Sequence, residues 1–346
     1  MQTRVCRLHA KNNLRIDTLA VAETGADEVL VAIGAGGICG SDLHYFHDGG
    51  FGQIRVQEPI ILGHEVAGTV LSIGAEVTTL EAGDRVALNP SRPCGHCTYC
   101  VEGLKQHCLN MRFFGSAMRF PHEQGAFRDR MVVRADQCEK IGPQTSLAEA
   151  ACAEPLAVCL HAGNRAGDLQ GRRVLVTGAG PIGALCTAVA RHGDAAEIVV
   201  TDLHDFPLDV ARQMGATQTV NVQTAPDGMA PYILDKGYFD IVFECSAAPS
   251  ALRTAIAAVR PQGRIVQVGV TGDLPLPINL IVGKEISIVG SHRFDSEYAQ
   301  AVRLIDNGEI AVKRIISQTF PIVDAAMAFA TASDRAQAVK VQLAFD

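Results

Sequence analysis

The chain reads as an α/β protein of two parts, a β-rich part and a doubly wound parallel sheet. Three observations predict this. From Gly171 onward, short apolar strands alternate with helical stretches, the pattern of a parallel sheet covered by helices. Residues 1–35 and 66–88 instead hold short segments with β-branched residues and partial alternation, punctuated by glycines, as in a barrel-like domain. At 346 residues, the chain is also longer than one core usually supports.

Composition excludes several classes. Apolar residues make up 48% and charged residues only 19%, which argues against disorder. A net charge of −7 with no Lys/Arg run predicts neither a nucleic-acid nor an anionic-membrane partner. No run of 18 apolar residues predicts a membrane span, and Met1-Gln2-Thr3-Arg4-Val5-Cys6 does not read as a secretory leader. The eleven cysteines are therefore expected to be thiols and metal ligands of a soluble cytoplasmic protein rather than disulfides.

In the β-rich part, Val5–Ala10 and Glu28–Ile33 read as strands, as do Val66–Leu71 and Asp84–Leu88. Between them lie Gly37-Ile38-Cys39-Gly40-Ser41-Asp42-Leu43-His44 and Leu62-Gly63-His64-Glu65-Val66-Ala67-Gly68. Cys39, His64 and Glu65 supply a thiolate, an imidazole and a carboxylate, all suited to zinc. Glu154, far away in Ala153-Glu154-Pro155-Leu156, is a fourth candidate, since a fold gathers the ligands of a catalytic metal. The competing reading is a buried apolar thiol at Cys39 and a satisfied core histidine at His64.

Cys94, Cys97, Cys100 and Cys108 follow the spacing Cys-x2-Cys-x2-Cys-x7-Cys. Four thiolates on one loop match a closed tetrahedral zinc site, structural rather than catalytic. Residues 111–135 mix aromatics and cations, as either a packed loop or a pocket wall. Leu147–Cys152 and Leu156–Ala166 read as helical, with Glu154-Pro155 between them.

The strand Arg173–Thr177 runs into Gly178-Ala179-Gly180-Pro181-Ile182-Gly183 and then a helix from Ala184 to His192. The next strand ends at Asp202. This is the dinucleotide fingerprint in its proper setting of strand, loop, helix, strand and acid. The glycines allow the tight turn and close approach of the pyrophosphate, and the helix N-terminus supplies amide donors. Asp202 should accept from the ribose hydroxyls and repel a 2′-phosphate, which favours NAD over NADP. Further strands follow at Thr219–Val222, Phe239–Cys245 and Arg264–Val270, with a helix at Pro249–Val259. Val268, Gly269 and Val270 lie at a strand end where a nicotinamide could rest. Glu285–Phe294 closes the sheet or returns to the first part. A helix near Ser296–Asn307 and a strand at Val339–Leu343 complete the chain.

Zinc beside a nicotinamide predicts alcohol oxidation and its reverse. Ser41 would take the alcohol proton and His44 would pass it outward, since imidazole titrates near neutrality. The alternatives are a turn hydroxyl at Ser41 and a surface histidine at His44.

The metal stretch, the four-cysteine lobe, Glu154 and the Gly178–Gly183 loop together resemble the zinc-containing medium-chain alcohol/polyol dehydrogenases, over essentially the whole chain. The resemblance implies a GroES-like catalytic domain of residues 1–153 and 290–346, with catalytic and structural zinc. It implies a Rossmann NAD-binding domain over residues 154–289, and a homotetramer. A glutamate at 154 resembles the sorbitol dehydrogenase branch, in which Glu65 and Glu154 alternate as ligand. Tyr45, Phe114, Arg293 and Phe294 fall where such enzymes line the substrate cleft. Segments Gly37–Tyr45, Asn89–Cys97, Met111–His122 and Gly283–Ser287 are similar to members that oxidise the C5 hydroxyl of a six-carbon sugar acid, reversibly with NAD(P)H. A sugar acid needs a partner for its carboxylate, and Arg112, Arg119 and Arg293 are the candidates. The alternatives are a neutral polyol of the sorbitol/xylitol type, threonine, or a crystallin-like binding protein without activity.

Overall fold

The computed structural model describes residues 1–270 and 272–345. Its largest antiparallel-type sheet runs in the order Cys138–Lys140, Arg85–Leu88, Glu65–Ile73, Glu28–Gly37, Lys340–Ala344, Ile316–Pro321, with Arg130–Arg134 also pairing Glu28–Gly37. Only the last two strands of that order run parallel to each other. A smaller sheet joins Gln2–Ala10 to Asn13–Ala20 and Ile60–Ile61. Side chains of these strands share one apolar core around Val31, Val66, Leu88, Phe127 and Leu343.

The six-stranded sheet is parallel throughout, in the order Gln218–Asn221, Glu197–Asp202, Arg173–Thr177, Phe239–Glu244, Val259–Gln267, Ser287–Gly290. Numbered along the chain, that order is 3-2-1-4-5-6, the doubly wound arrangement. Strand order reverses beside Arg173–Thr177, and the glycine loop leaves its carboxyl end at that switch point. The expected α/β architecture is thus present.

Two local features differ from the sequence reading. The helix Ala153–Ala166 contains Glu154 and Pro155 instead of beginning after them. Proline is tolerated there because the first helical amides have no intrahelical acceptor. Residues Arg130–Arg134, read within a loop or pocket wall, form a strand whose Met131 and Val133 face the core. Among the described residues, no helix is long and apolar enough to cross a membrane.

Candidate active site and metal centres

Two clusters of ligand-type side chains stand out. The Sγ atoms of Cys94, Cys97, Cys100 and Cys108 all lie within 4.8 Å of one another. Backbone amides face these sulfurs: the N–H groups of Cys94 and Asn110 donate to Cys108 Sγ at 3.1 and 3.3 Å. Amide donation, led by that from His96, pulls the Cys94 thiol down to about 5, and Cys97 is lowered in the same way. Burial pushes Cys100 up to about 12. The donor set and spacing fit one tetrahedral zinc with no open position.

The second cluster joins Cys39, His64 and Glu65, whose ligand atoms also lie within 4.8 Å of one another. Cys39 caps the helix Gly40–Asp48, and Asp42 reaches back to accept from its amide at 3.0 Å. Asp42, fully buried, also accepts from Gly63 N–H at 3.2 Å and sits 3.7 Å from His64 Nδ1. It is therefore the carboxylate behind the histidine, the usual support of a metal-ligating imidazole. A Cβ on Gly37 would fall 2.1 Å from Glu65 Oε2, so only glycine lets that carboxylate lie against the strand. Lys340 Nζ, itself buried, donates to both Glu65 oxygens at 2.7 and 2.6 Å.

Glu154, buried in the first turn of its helix near His64 and Glu65, lies outside that three-residue cluster. Burial pushes its carboxyl up to about 8, opposed by the nearby His64 charge. A thiolate, an imidazole and a carboxylate fit a catalytic zinc, with Glu154 nearby as a further oxygen donor.

One turn further along the same helix, Cys159 Sγ donates to Ile182 O at 3.4 Å. The helix thus ties the Glu154 corner to the glycine loop. Gly178 has φ +84, and a Cβ there would sit 2.9 Å from Ser246 Cα. A Cβ on Gly183 would sit 1.8 Å from Gly178 O, whereas one on Gly180 would meet nothing. That open face is where a pyrophosphate approaches, above the amide end of the helix Pro181–His192, with Pro181 at its start. Asp202 Oδ2 accepts from Ala179 N–H at 2.7 Å, and Oδ1 from Leu203 and His204 N–H. Glu244, fully buried, receives Thr177 Oγ1, Ser246 N–H and Gln267 Nε2. Its own carbonyl accepts from Val268 and Gly269 N–H, which fixes those residues beside the loop, with Val270 exposed beyond them. The residues present fit a dinucleotide.

Ser41 and His44 lie three apart on the helix Gly40–Asp48, hence on one face. Burial pushes the Cys39 thiol up to about 11, and the neighbouring Ser41 hydroxyl is among the groups that oppose that rise. The half-exposed His44 pairs with Asp48 at 3.1 Å and stacks near Phe51.

The candidate arginines part company. Arg293, φ +54, lies 4.6 Å over the Phe113 ring, and that ring lies 5.4 Å from His64. Its Nη2 approaches Met118 Sδ at 3.2 Å. Burial lowers its guanidinium pKa, and Glu154 and Tyr45 oppose that shift. Arg112 turns instead to Glu123 at 2.8 Å. Arg119 donates to the Met111 and Leu109 carbonyls at 2.8 and 2.7 Å. Arg112 thus spends Nη1 on a carboxylate and Arg119 spends Nε and Nη2 on carbonyls, whereas Arg293 lies over the ring that faces His64. The aromatics shift too. Phe114 is buried in the catalytic core and Phe294 packs on Tyr298, so Phe113 is the ring that faces His64. Tyr45 is buried, its hydroxyl accepting from Ala117 N–H at 3.2 Å.

Asp42, Phe113, Glu244 and Lys340 escaped the sequence reading. Asp42 had a signal, its capping-box spacing from Cys39. Lys340, 275 residues from Glu65, had none.

Residues 25–143 match the family model described as alcohol dehydrogenase GroES-like domain, and residues 181–307 match the one described as zinc-binding dehydrogenase. The chain is 44% identical over 333 residues to L-idonate 5-dehydrogenase (NAD(P)(+)) of Escherichia coli (strain K12), covering 95% of this chain and 96% of that protein. It is 34% identical to sorbitol dehydrogenase of Bacillus subtilis (strain 168), covering 91% and 89%. The crystal structure of L-idonate 5-dehydrogenase from Escherichia coli str. K-12 superposes with TM-score 0.94 at 42% identity, covering 100% and 99%. With its thiolate–imidazole–carboxylate cluster, four-cysteine lobe and dinucleotide loop, the chain belongs to the zinc-containing medium-chain alcohol/polyol dehydrogenase family.

Proposed function

We propose that this dehydrogenase oxidises the C5 hydroxyl of L-idonate to 5-keto-D-gluconate, reversibly and with NAD. The observation that carries the reading is Arg293, a guanidinium with no ion pair among the described residues, laid over Phe113 beside the metal cluster. A neutral polyol leaves that charge unmatched, whereas a sugar acid supplies a carboxylate for its planar fork. The similarity to the Escherichia coli enzyme supports the same substrate class.

Zinc, held by Cys39, His64 and a carboxylate of Glu65 or Glu154, would polarise the hydroxyl and ease loss of its proton, while NAD takes the hydride. The chain's own part is positional. The Ser41 hydroxyl would take the substrate proton as it passes its own on, and His44, three residues along the same helix face beside Asp48, would release a proton to solvent. Arg293 and Phe113 orient the acid, with Tyr45 behind them. Gly178–Gly183 and Val268–Val270 hold the dinucleotide. Asp202 Oδ2 keeps a lone pair for a ribose hydroxyl, and its charge disfavours a 2′-phosphate.

In this reading residues 1–153 and 290–346 form the catalytic domain and residues 154–289 the nucleotide domain of a cytoplasmic homo-oligomer, a tetramer by family. The edge strand Ser287–Gly290, with exposed Val282 and Ile278 nearby, supports assembly through that sheet edge.

NADH formation on L-idonate, sorbitol, xylitol and threonine tests the substrate. Idonate should give the highest kcat/KM. Arg293→Gln should lower it by about tenfold or more on idonate and little on sorbitol. An equal loss on both substrates removes Arg293 from carboxylate recognition, and faster sorbitol oxidation by the unaltered enzyme rejects the assignment.

A further inference from the structure

We propose that the β-rich part carries a second binding site, an arginine-lined pocket for a small tetrahedral oxyanion, phosphate or a phosphate monoester. The hollow has a volume of about 280 Å3, and none of Cys39, His64, Glu65, Glu154 or Arg293 lines it.

Three arginines line it, Arg112, Arg128 and Arg130, against one carboxylate, Glu123. Three positive charges less one negative leave +2. Glu123 is moreover already shared, bonding Arg112 at 2.8 Å and Arg92 at 3.3 Å. Among the described residues, neither Arg128 nor Arg130 has an ion pair. Arg128 uses Nε and Nη2 on a single carbonyl, Gly125 O, at 2.9 and 2.7 Å. It is half-buried, and burial pushes its guanidinium down to about 10. Glu123 is the one opposing charge near it and is already divided between Arg112 and Arg92, so an anion in the hollow further offsets the cost of enclosing the cation.

The remaining donors agree. Gln124 spends Oε1 on Ile61 N–H at 2.8 Å, which leaves its Nε2 donor for the hollow. His122 adds no charge. Its Nδ1 donates to Arg119 O at 2.7 Å and its Nε2 accepts from Gln57 N–H at 2.8 Å, so this geometry requires the neutral ring.

The walls are fixed before any ligand arrives. Arg130 stands on a strand paired with Glu28–Gly37, and Arg112 on one paired with Ser91–Arg92. The turn leading to Arg128 is held by Phe127 N–H on Leu62 O and Ala126 N–H on Gly63 O, each at 2.9 Å. Preorganised guanidiniums suit the paired oxygens of a tetrahedral anion. The volume exceeds that of phosphate alone and leaves room for a short ester.

Calorimetric titration of the zinc-loaded, NAD-saturated protein tests the site, at constant ionic strength balanced with chloride. NAD occupies the pyrophosphate-binding loop and removes it as a competitor. Inorganic phosphate and glycerol phosphate are titrated separately. We expect saturable binding of one anion per chain, weakened about tenfold or more by Arg130→Gln and by Arg128→Met. Among the described residues Arg130 makes no side-chain hydrogen bond, so its variant keeps the test open if Arg128→Met folds poorly. Tighter binding of the ester identifies a phosphorylated metabolite as the source, and tighter binding of inorganic phosphate identifies the free ion. No saturable heat with either anion, or unchanged binding in Arg130→Gln, overturns the proposal.

Discussion

Asp42 shows how much of a metal site rests on a side chain that touches no metal. It accepts from the Cys39 and Gly63 amides and stands behind His64, so it fixes both neighbours of the ligand cluster. Asp42→Asn turns one acceptor into a donor and places an NH2 against amide hydrogens or the imidazole. The expected result is zinc affinity at the catalytic site lower by roughly 10–100-fold, with the four-cysteine site unaffected. Chelator competition resolving two zinc ions per chain measures this, and equal retention of both would refute the role. At this scale residue types were legible, but directions were not. Cys39, His64 and the four lobe cysteines announce their chemistry by type and spacing. Arg112, Arg119 and Arg293 look alike in sequence, and only the acceptors around each guanidinium separate them. Phe113 ends a short strand and Phe114 begins the turn after it, so the two rings go to different clusters, and nothing local states which one reaches the cleft.

Whole elements were more readable, because periodicity and punctuation act over many residues. The glycine loop is the clearest case, and its glycines do different work. Gly183 is demanded by packing, since a Cβ would lie 1.8 Å from Gly178 O. Gly180 faces open space and is demanded only by the bound pyrophosphate. Gly180→Ala should therefore melt like the unaltered protein while NAD binds about tenfold more weakly or worse. Gly183→Ala should lower stability by about 1–3 kcal/mol even without nucleotide. Thermal melts with and without NAD separate the two, and identical behaviour of both variants would sink this division of labour. Where elements were misread, the cause was short range. Pro155 looks like a helix breaker unless its place in the first turn is known. Arg130–Arg134 is cationic only at its two ends and becomes a strand through pairing with Glu28–Gly37, about 100 residues away.

The molecule as a whole is closed by contacts that sequence order hides. Lys340–Ala344 inserts between Glu28–Gly37 and Ile316–Pro321, so segments that precede and follow the parallel sheet in the chain build one sheet. That insertion brings Lys340 onto Glu65, with a third donation to Ile38 O at 3.1 Å. Burial alone would lower the lysine's pKa. The charges of Glu65 and Cys39 outweigh burial and raise it above its ordinary value. A raised lysine contributes stability that is complete below its unfolded pKa and is lost only as pH rises through the folded one. The pair should therefore hold at full strength across the neutral range. Lys340→Met strands a buried carboxylate beside a thiol and should cost about 3–5 kcal/mol at neutral pH and above. Adding Glu65→Gln to that variant should recover part of the loss, because the stranded charge is gone. Denaturant unfolding of metal-free protein reads both variants without the zinc contribution. A loss that shrinks steadily from pH 6 to pH 9, or a double variant weaker than the sum of the two single ones, would show that the closing strand is held by packing and not by this pair.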